Sequence, residues 1–483
     1  MLTAFSVKNF KSIRDSGKID IRPLTIFIGP NNSGKSSLLQ FLFALKQTME
    51  SRDTESPFST KKWKGYVDIG GYEDFIFLHE KENPLSFKLY LELSFERNSV
   101  SYQGIPTEFS LEENQKKKSK VKMNVVTESV IRYKQGEICL DAFMVDIDGK
   151  TIGFNSRGEF EQNFMDEKLL SRALERYWKV TEPRPLFKKE KFYYVPNIPL
   201  GFFSFTVSRQ YAEGIIRESN KRSISDIFER LSIFEILNDF QGEIINSFTN
   251  LFYLGPLREY PRRYYFVSGE KPIHVGVKGE RAVEVLLVTS RTSDKIFKRV
   301  NSWFEKLGVG KVSFKPLTES LYTLSVTHPT IKKGSQNVET NIAAGGFGAS
   351  QILPVIVEGF YAPENAVILI EQPEIHLHPK LQAEMGDLLI DISKTEKWLV
   401  IETHSEHLLM RIQRRIAEGS ITTDDVAIYY FEQEKGGTNI TQLELDTYGR
   451  FTNWPKGFFE EDLIEAYKHA KVIAEKVEPE GSA

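Results

Sequence analysis

Residues Gly29-Pro30-Asn31-Asn32-Ser33-Gly34-Lys35-Ser36 read G-x-x-x-x-G-K-S. That spacing belongs to loops that wrap a polyphosphate in backbone N–H groups, and it needs a strand before it and a helix after it. Both are present. Leu24-Thr25-Ile26-Phe27-Ile28 is a short β-branched, apolar run and reads as a buried strand. Ser37-Leu38-Leu39-Gln40-Phe41-Leu42-Phe43-Ala44-Leu45 reads as the first turns of a helix, whose N-terminus adds a favourable end for an anion. The alternative is a plain Gly/Asn/Ser turn between a strand and a helix. In the phosphate-loop reading, Gly29 to Ser37 cradle the phosphates, Lys35 lies on the β- and γ-phosphates of ATP, and Ser36 holds Mg²⁺.

Length and composition narrow the surroundings. A chain of 483 residues has room for two or three domains. It is 40% hydrophobic and 27% charged with formal net charge −3, so any nucleic-acid contact must come from local patches. Cys139 is the only cysteine, which excludes an intramolecular disulfide and a thiolate zinc cluster. The first residues start a strand pattern at once, Leu2-Thr3-Ala4-Phe5-Ser6-Val7, with no basic segment leading an apolar one. The longest apolar runs, such as Ala366-Val367-Ile368-Leu369-Ile370, are far too short to span a bilayer. A cytoplasmic location without membrane contact is the expectation.

Residues 2–28 read as strands. Between 85 and 155 the period becomes two, as in Phe87-Lys88-Leu89-Tyr90-Leu91-Glu92-Leu93-Ser94-Phe95, which predicts an antiparallel β region. Asp146-Ile147-Asp148-Gly149 has the D-x-D letters of a nuclease metal site, yet Asp148-Gly149 between two strand-like runs is a hairpin signal. Lys116-Lys117-Lys118-Ser119-Lys120-Val121-Lys122 is either a solvated loop or a phosphate-backbone contact. Residues 160–250 carry apolar positions at helical spacing and read as an insertion. The αβ pattern returns at Leu251-Phe252-Tyr253-Leu254, with helix over 279–307, a strand around 319–327 and a loop from Gly334 to Asn341.

A second half-site follows. Ala343-Ala344-Gly345-Gly346-Phe347-Gly348-Ala349-Ser350-Gln351 precedes a helix-like stretch from Ile352 to Phe360, which makes a second anion-binding helix start. Val367-Ile368-Leu369-Ile370-Glu371-Gln372-Pro373-Glu374 is a buried strand ending in carboxylates, where phosphate-loop enzymes hold Mg²⁺ and the attacking water. Trp398-Leu399-Val400-Ile401-Glu402-Thr403-His404-Ser405 is another strand with a polar end, and His404 could reach a γ-phosphate. A zinc site from His376, His378, His404 and His407 lacks a cysteine or aspartate to complete it.

In this order the motifs resemble the ABC-type ATPase heads of the SMC/RecF/OLD kind. The resemblance runs through the phosphate loop at 29–36, a signature-like Gly346–Gln351, the Walker B strand at 367–372, a D-loop-like Ile375-His376-Leu377-His378-Pro379 and a switch residue, His404. Leu254-Gly255-Pro256-Leu257-Arg258-Glu259, and the closing segment from Asp446-Thr447-Tyr448-Gly449-Arg450 to Trp454-Pro455-Lys456-Gly457-Phe458-Phe459, are similar to free-standing bacterial ATPases of that group. Such subunits serve in antiphage systems, for example AriA of PARIS and PtuA of Septu, beside a separately encoded nuclease. The resemblance implies an α/β fold: an ABC-type head with a mixed sheet, an antiparallel β lobe and an inserted helical region. Its parts would be 1–155 and 251–460 as the two halves of the head, 156–250 as the insert, and 461–483 as a C-terminal helix and tail.

For the site, the resemblance implies ATP and Mg²⁺ as cofactors, with Ser36 and Glu371 on the metal. Glu371, Gln372, Glu374 and His404 would serve hydrolysis. Gly346, Gly348, Ser350 and Gln351 would meet the nucleotide of a second subunit. Two departures stand out. The signature reads Gly346-Phe347-Gly348-Ala349-Ser350-Gln351, not L-S-G-G-Q. Gln372 occupies the position of the usual catalytic glutamate, and an amide cannot accept a proton from water, so slow turnover is expected. The partners implied are a second copy in a head-to-tail dimer or a hexamer, a nuclease effector, and a phage trigger protein or DNA met through basic patches. A RecF-like DNA-binding ATPase of repair or recombination is the other reading. A one-chain OLD nuclease has no room for its nuclease module in the roughly 75 residues after His404.

Overall fold

Strands Leu24–Ile28 (β4), Val367–Glu371 (β14) and Trp398–Glu402 (β15) carry almost unbroken apolar runs, the composition of strands covered on both faces. The computed structural model describes residues 1–51, 57–60, 66–96, 120–147, 150–155, 242–267, 269, 271–292, 294–333, 336–345, 347–455, 468–469 and 471–472. It places these three strands at the centre of a six-stranded sheet. With β9 (Leu251–Leu254), β16 (Val426–Glu434) and β17 (Gly437–Leu443), the order is β17-β16-β4-β15-β14-β9. All neighbours are parallel except β16 and β17.

Period two then decides which helices cover which face. On β14, Val367 and Leu369 face the helix α1 (Lys35–Glu50) in one apolar cluster. Ile368 and Ile370 face the opposite cluster, built with α5 (Phe347–Tyr361), α6 (Pro379–Ser393) and α7 (Glu406–Ala417). The central strands are therefore wedged between two helical layers.

The first cluster continues into a seven-stranded antiparallel sheet. Its strands are β1 (Leu2–Phe10), β2 (Ile13–Asp15), β3 (Ile19–Asp20), β5 (Leu85–Glu96), β6 (Lys120–Lys134), β7 (Glu137–Ile147) and β8 (Lys150–Asn155). The alternation expected around Phe87 is realised. Phe87, Leu89, Leu91 and Leu93 are all buried, and the Phe87 ring packs 5.4 Å from that of Phe41 on α1. The short helix α2 (Tyr72–Phe75) closes this core, with Phe75 against Phe10. Ile147 stands opposite Lys150 and Asp146 opposite Thr151, so Asp146 belongs to a hairpin ladder.

A third, four-stranded sheet contains β10 (Tyr265–Phe266), β11 (Lys311–Pro316), β12 (Leu321–Lys333) and β13 (Gln336–Asn341), next to helices α3 (Ala282–Thr292) and α4 (Asp294–Lys306). Here one expectation is corrected. The stretch from Gly334 to Asn341 is not all loop, because Gln336–Asn341 forms β13 and pairs antiparallel with β12. Its polar side chains hide the strand, since an edge strand is held by its backbone ladder and needs little apolar alternation. The whole is α/β with mixed sheets. Of the expected helical insert at 156–250, residues 156–241 lie outside the described residues, as do Asp148-Gly149 of the expected turn, Lys116–Ser119 of the basic cluster, Gly346 and residues 456–467.

Candidate active site

Four parallel strands, β4, β15, β14 and β9, end on one edge of the central sheet, and the expected nucleotide residues of the phosphate loop, Walker B strand and switch gather there. Strand ends at this edge expose backbone and side chains to a common crevice, the usual ligand position in open α/β sheets. β4 runs straight into the phosphate loop. Gly29 has φ +144 and Gly34 φ +94, conformations that side-chain-bearing residues rarely adopt. A Cβ on Gly29 would overlap the Phe431 carbonyl of β16, and one on Gly34 would lie 2.8 Å from the hydroxyls of Ser12 and Thr438. The loop is thus pressed against its neighbours with no space for side chains at these points. Ser33 Oγ donates to the Pro30 carbonyl at 2.8 Å and tightens the turn. Gly34 is the N-cap of α1, so the first turn of a sixteen-residue helix opens on the loop.

Lys35 is 3% exposed, and its ammonium donates to the carbonyls of Gly29 at 3.0 Å and Pro30 at 2.6 Å. Burial lowers its pKa, and the nearby Glu402 carboxylate works against that. The Ser36 hydroxyl donates to Glu402, at 2.8 Å to Oε2 and 3.1 Å to Oε1. Glu371 instead accepts from the Tyr253 hydroxyl of β9 at 2.5 Å. The expected Ser36–Glu371 pair is therefore completed by a third group, because β15 lies between β4 and β14. Glu402 and Glu371 sit side by side in register. Burial first, and then the neighbouring Glu402 charge, push the Glu371 carboxyl up to about 7. Burial likewise raises Glu402, against the Ser36 hydrogen bond.

Gln372 has φ +45, and both its backbone groups are held. Its N–H donates to the Glu402 carbonyl at 2.7 Å. Its carbonyl accepts from the Arg258 guanidinium at 3.4 Å, which also donates to the Glu371 carbonyl at 3.0 Å. Arg258 is 5% exposed, and burial lowers its pKa to about 10 although Glu374 and Glu371 oppose the shift. Glu374 Oε1 accepts the backbone N–H of His404 at 2.8 Å, while Oε2 is buried without a hydrogen-bond partner. Burial raises the Glu374 pKa against that donor. The His404 pKa is lowered by burial and then by the Lys35 charge, which lies within electrostatic reach.

The signature-like segment lies against the D-loop-like turn. Its helix α5 starts at Phe347, and Gly348 packs against Leu377 and the His376 carbonyl of the D-loop-like turn. Ser350 and Gln351 are buried. His378 caps α6, and Ser405 caps α7. Among the described residues no group of three or more His, Cys, Asp and Glu side chains is arranged for a metal ion. Ser36, Glu371 and Glu402 nonetheless supply hard oxygen donors of the kind Mg²⁺ takes together with phosphate oxygens and water. In the closing segment, Gly449 has φ +73 and its carbonyl accepts from Gln413 of α7 at 2.8 Å, which docks that turn on the helix.

Sequence reasoning missed Glu402, Tyr253 and Arg258 as site residues. Glu402 had one visible signal, a carboxylate ending an apolar strand, as Glu371 does.

A phosphate loop and a ring of acidic strand ends on a parallel sheet define a nucleotide-hydrolysing class. The chain belongs to the AAA ATPase domain family, whose model matches residues 1–409. A second model, described as a protein of unknown function (DUF3696), matches residues 421–468. No curated protein matches. Among solved structures, the chain is similar to an Smc head bound to the C-winged helix domain of ScpA, with 14% identity, 92% of this chain and 98% of that chain covered, and TM-score 0.42. It is similar to the SMC head domain from Thermotoga maritima at 11% identity, covering 92% and 99%, with TM-score 0.38. A third is an Smc head with an extended coiled coil bound to the C-terminal domain of ScpA derived from Pyrococcus furiosus, at 14% identity, 97% and 99% coverage and TM-score 0.38. No helix of the described residues is long and apolar enough to cross a membrane.

Proposed function

We propose that this chain binds ATP·Mg²⁺ at residues 29–37, hydrolyses it slowly, and works as a sensor or scaffold subunit of an antiphage complex with a separately encoded nuclease or toxin effector. One observation carries the nucleotide part. Lys35, Ser36, Glu371, Gln372, Glu374 and His404, far apart in sequence, meet at the carboxyl edge of one parallel sheet beside a helix N-terminus.

On binding, the loop N–H groups and the first turn of α1 replace phosphate hydration. Lys35 exchanges its own loop carbonyls for phosphate oxygens. Mg²⁺, when bound, supplies charge neutralisation of the phosphates. Gln372 orients water without removing its proton. Glu374 is a buried carboxylate on the same turn, and its Oε2 has no hydrogen-bond partner.

A head-to-tail pair, in which the Gly348–Gln351 helix start of one copy closes on the nucleotide of the other, is the assembly that would give that helix start a phosphate to meet. Rings of such pairs are compatible with it. Asp146 in a hairpin ladder supports a structural role for that residue in place of a nuclease one. The antiphage role rests on the resemblance carried by Leu254–Glu259 and Asp446–Phe459.

Lys35→Ala tests the core of this reading. The variant should fold, lose ATP binding, and abolish protection in phage-plating assays. Wild-type ATP affinity in a folded Lys35→Ala protein would sink it. Light scattering with ATP should show dimers or multiples of them, and plasmid and tRNA should stay intact with the purified chain.

A further inference from the structure

The metal side of the site is built differently from what motif order implies, and the difference rests on the nucleotide reading above. Motif order joins Ser36 to Glu371. In the structure the Ser36 hydroxyl lies on both oxygens of Glu402, while Glu371 is turned to Tyr253. Glu402 stands opposite Glu371 on one side and opposite Phe27 on the other. In-register residues of adjacent parallel strands project to the same face, and such strands lie about 4.8 Å apart. The two carboxyl groups therefore share one small volume beside the loop serine. Glu402 is 4% exposed and Glu371 7%. The backbone around them is fixed, because Gln372 N–H donates to the Glu402 carbonyl and Thr403 N–H to the Phe27 carbonyl.

We infer that Glu402 is a direct carboxylate of the divalent-cation site, so that Ser36, Glu402 and Glu371 together hold the cation that accompanies the nucleotide. Burying two anions side by side is costly unless a cation is shared between them. Lys35 is spoken for by the loop carbonyls and, on binding, by phosphate. One serine hydroxyl and two carboxylates leave three octahedral positions for phosphate oxygens and water, which is how Mg²⁺ is commonly held. The plainer role for Glu402 is to accept the Ser36 hydrogen bond and orient that side chain. Glutamine can do that equally well, so Glu402→Gln separates the two roles.

The test uses the full chain, Mn²⁺ as the probe cation, and adenylyl imidodiphosphate as the nucleotide. Electron paramagnetic resonance counts free Mn²⁺ as it is titrated into the protein–nucleotide complex. Glu402→Gln should weaken Mn²⁺ binding at least tenfold, as should Glu371→Gln. Binding of a fluorescent form of the nucleotide in EDTA should stay within threefold of wild type. Unchanged Mn²⁺ affinity in Glu402→Gln overturns the assignment and leaves Glu402 as an orienting group. If Glu402→Gln does not fold, Glu402→Asp is read in the same titration. It keeps the charge one methylene short, and anything less than a severalfold loss overturns the inference. A wild-type chain that binds neither nucleotide nor Mn²⁺ refutes the nucleotide reading itself, which is a distinct result from a loss confined to the variant.

Discussion

Replacing Glu358 by glutamine should remove part of the pH dependence of stability. Glu358 lies on α5, the helix whose start carries the signature-like residues, and it is 1% exposed. Its Oε2 accepts the Val275 N–H at 2.8 Å, while Oε1 is buried with no hydrogen-bond partner. Burial pushes its carboxyl from an ordinary 4.5 up to about 7, against that N–H and the charges of Lys46 and Lys397. A folded pKa above the unfolded one means the native state binds the proton more tightly. Stability is therefore highest below pH 4.5 as far as this group is concerned, falls as pH rises from 4.5 to 7, and stays reduced above. The 2.5-unit difference corresponds to about 3 kcal/mol at pH 8, from 1.36 kcal/mol per unit. Glutamine keeps an acceptor for Val275 and never ionises. Glu358→Gln should thus equal or fall below wild type at pH 5 and exceed it at pH 8. Glu371 titrates in the same window, so the variant should retain a residual slope of its own. Thermal melts of the full chain from pH 5 to 8.5 in EDTA, without nucleotide, measure the difference. Parallel curves for the two proteins would refute the claim that Glu358 is buried and titrates near neutrality.

The other expectations concern the site. Arg258→Met keeps the apolar stem but removes the donors to the Glu371 and Gln372 carbonyls; the Gln372 carbonyl keeps the Ile375 N–H, so the cost should be about 1–3 kcal/mol for the Glu371 carbonyl. Displacing the Gln372 turn should lower kcat by roughly 10²-fold with KM for ATP little changed, and an unaltered kcat would remove Arg258 from the site. Gln372→Glu should raise hydrolysis at least tenfold, toward the roughly 10²–10⁴ that a general base supplies. An unchanged rate beside an inactive Glu374→Ala would move the base to Glu374. Gly29→Ala combines φ +144 with overlap on the Phe431 carbonyl, so it should abolish nucleotide binding and lower the melting temperature. Normal binding by that variant would contradict the loop geometry.

What was legible in the sequence was what is local. The phosphate loop is eight consecutive residues whose letters encode backbone shape, and its strand and helix flank it directly. Glu371 and His404 were legible because each ends a strand or starts the turn after it. Contacts set by strand order were not. Glu402 meets Ser36 only because β15 enters the sheet between β4 and β14, although β14 precedes it in the chain. Nothing in either segment records that insertion. Tyr253 and Arg258 reach the Walker B turn because β9 pairs with β14, again across more than a hundred residues. β13 was missed for the opposite reason, since an edge strand can be mostly polar when the backbone does the pairing. The residues that sequence reasoning overlooked are thus the ones that surround the expected catalytic groups and hold them in place. The consequence for Gln372 is specific. Its carbonyl and N–H are clamped from two neighbouring strand ends, by Arg258 and by Glu402. The backbone at this position is therefore fixed whichever side chain it carries, so Gln372→Glu changes only the end group that would meet water.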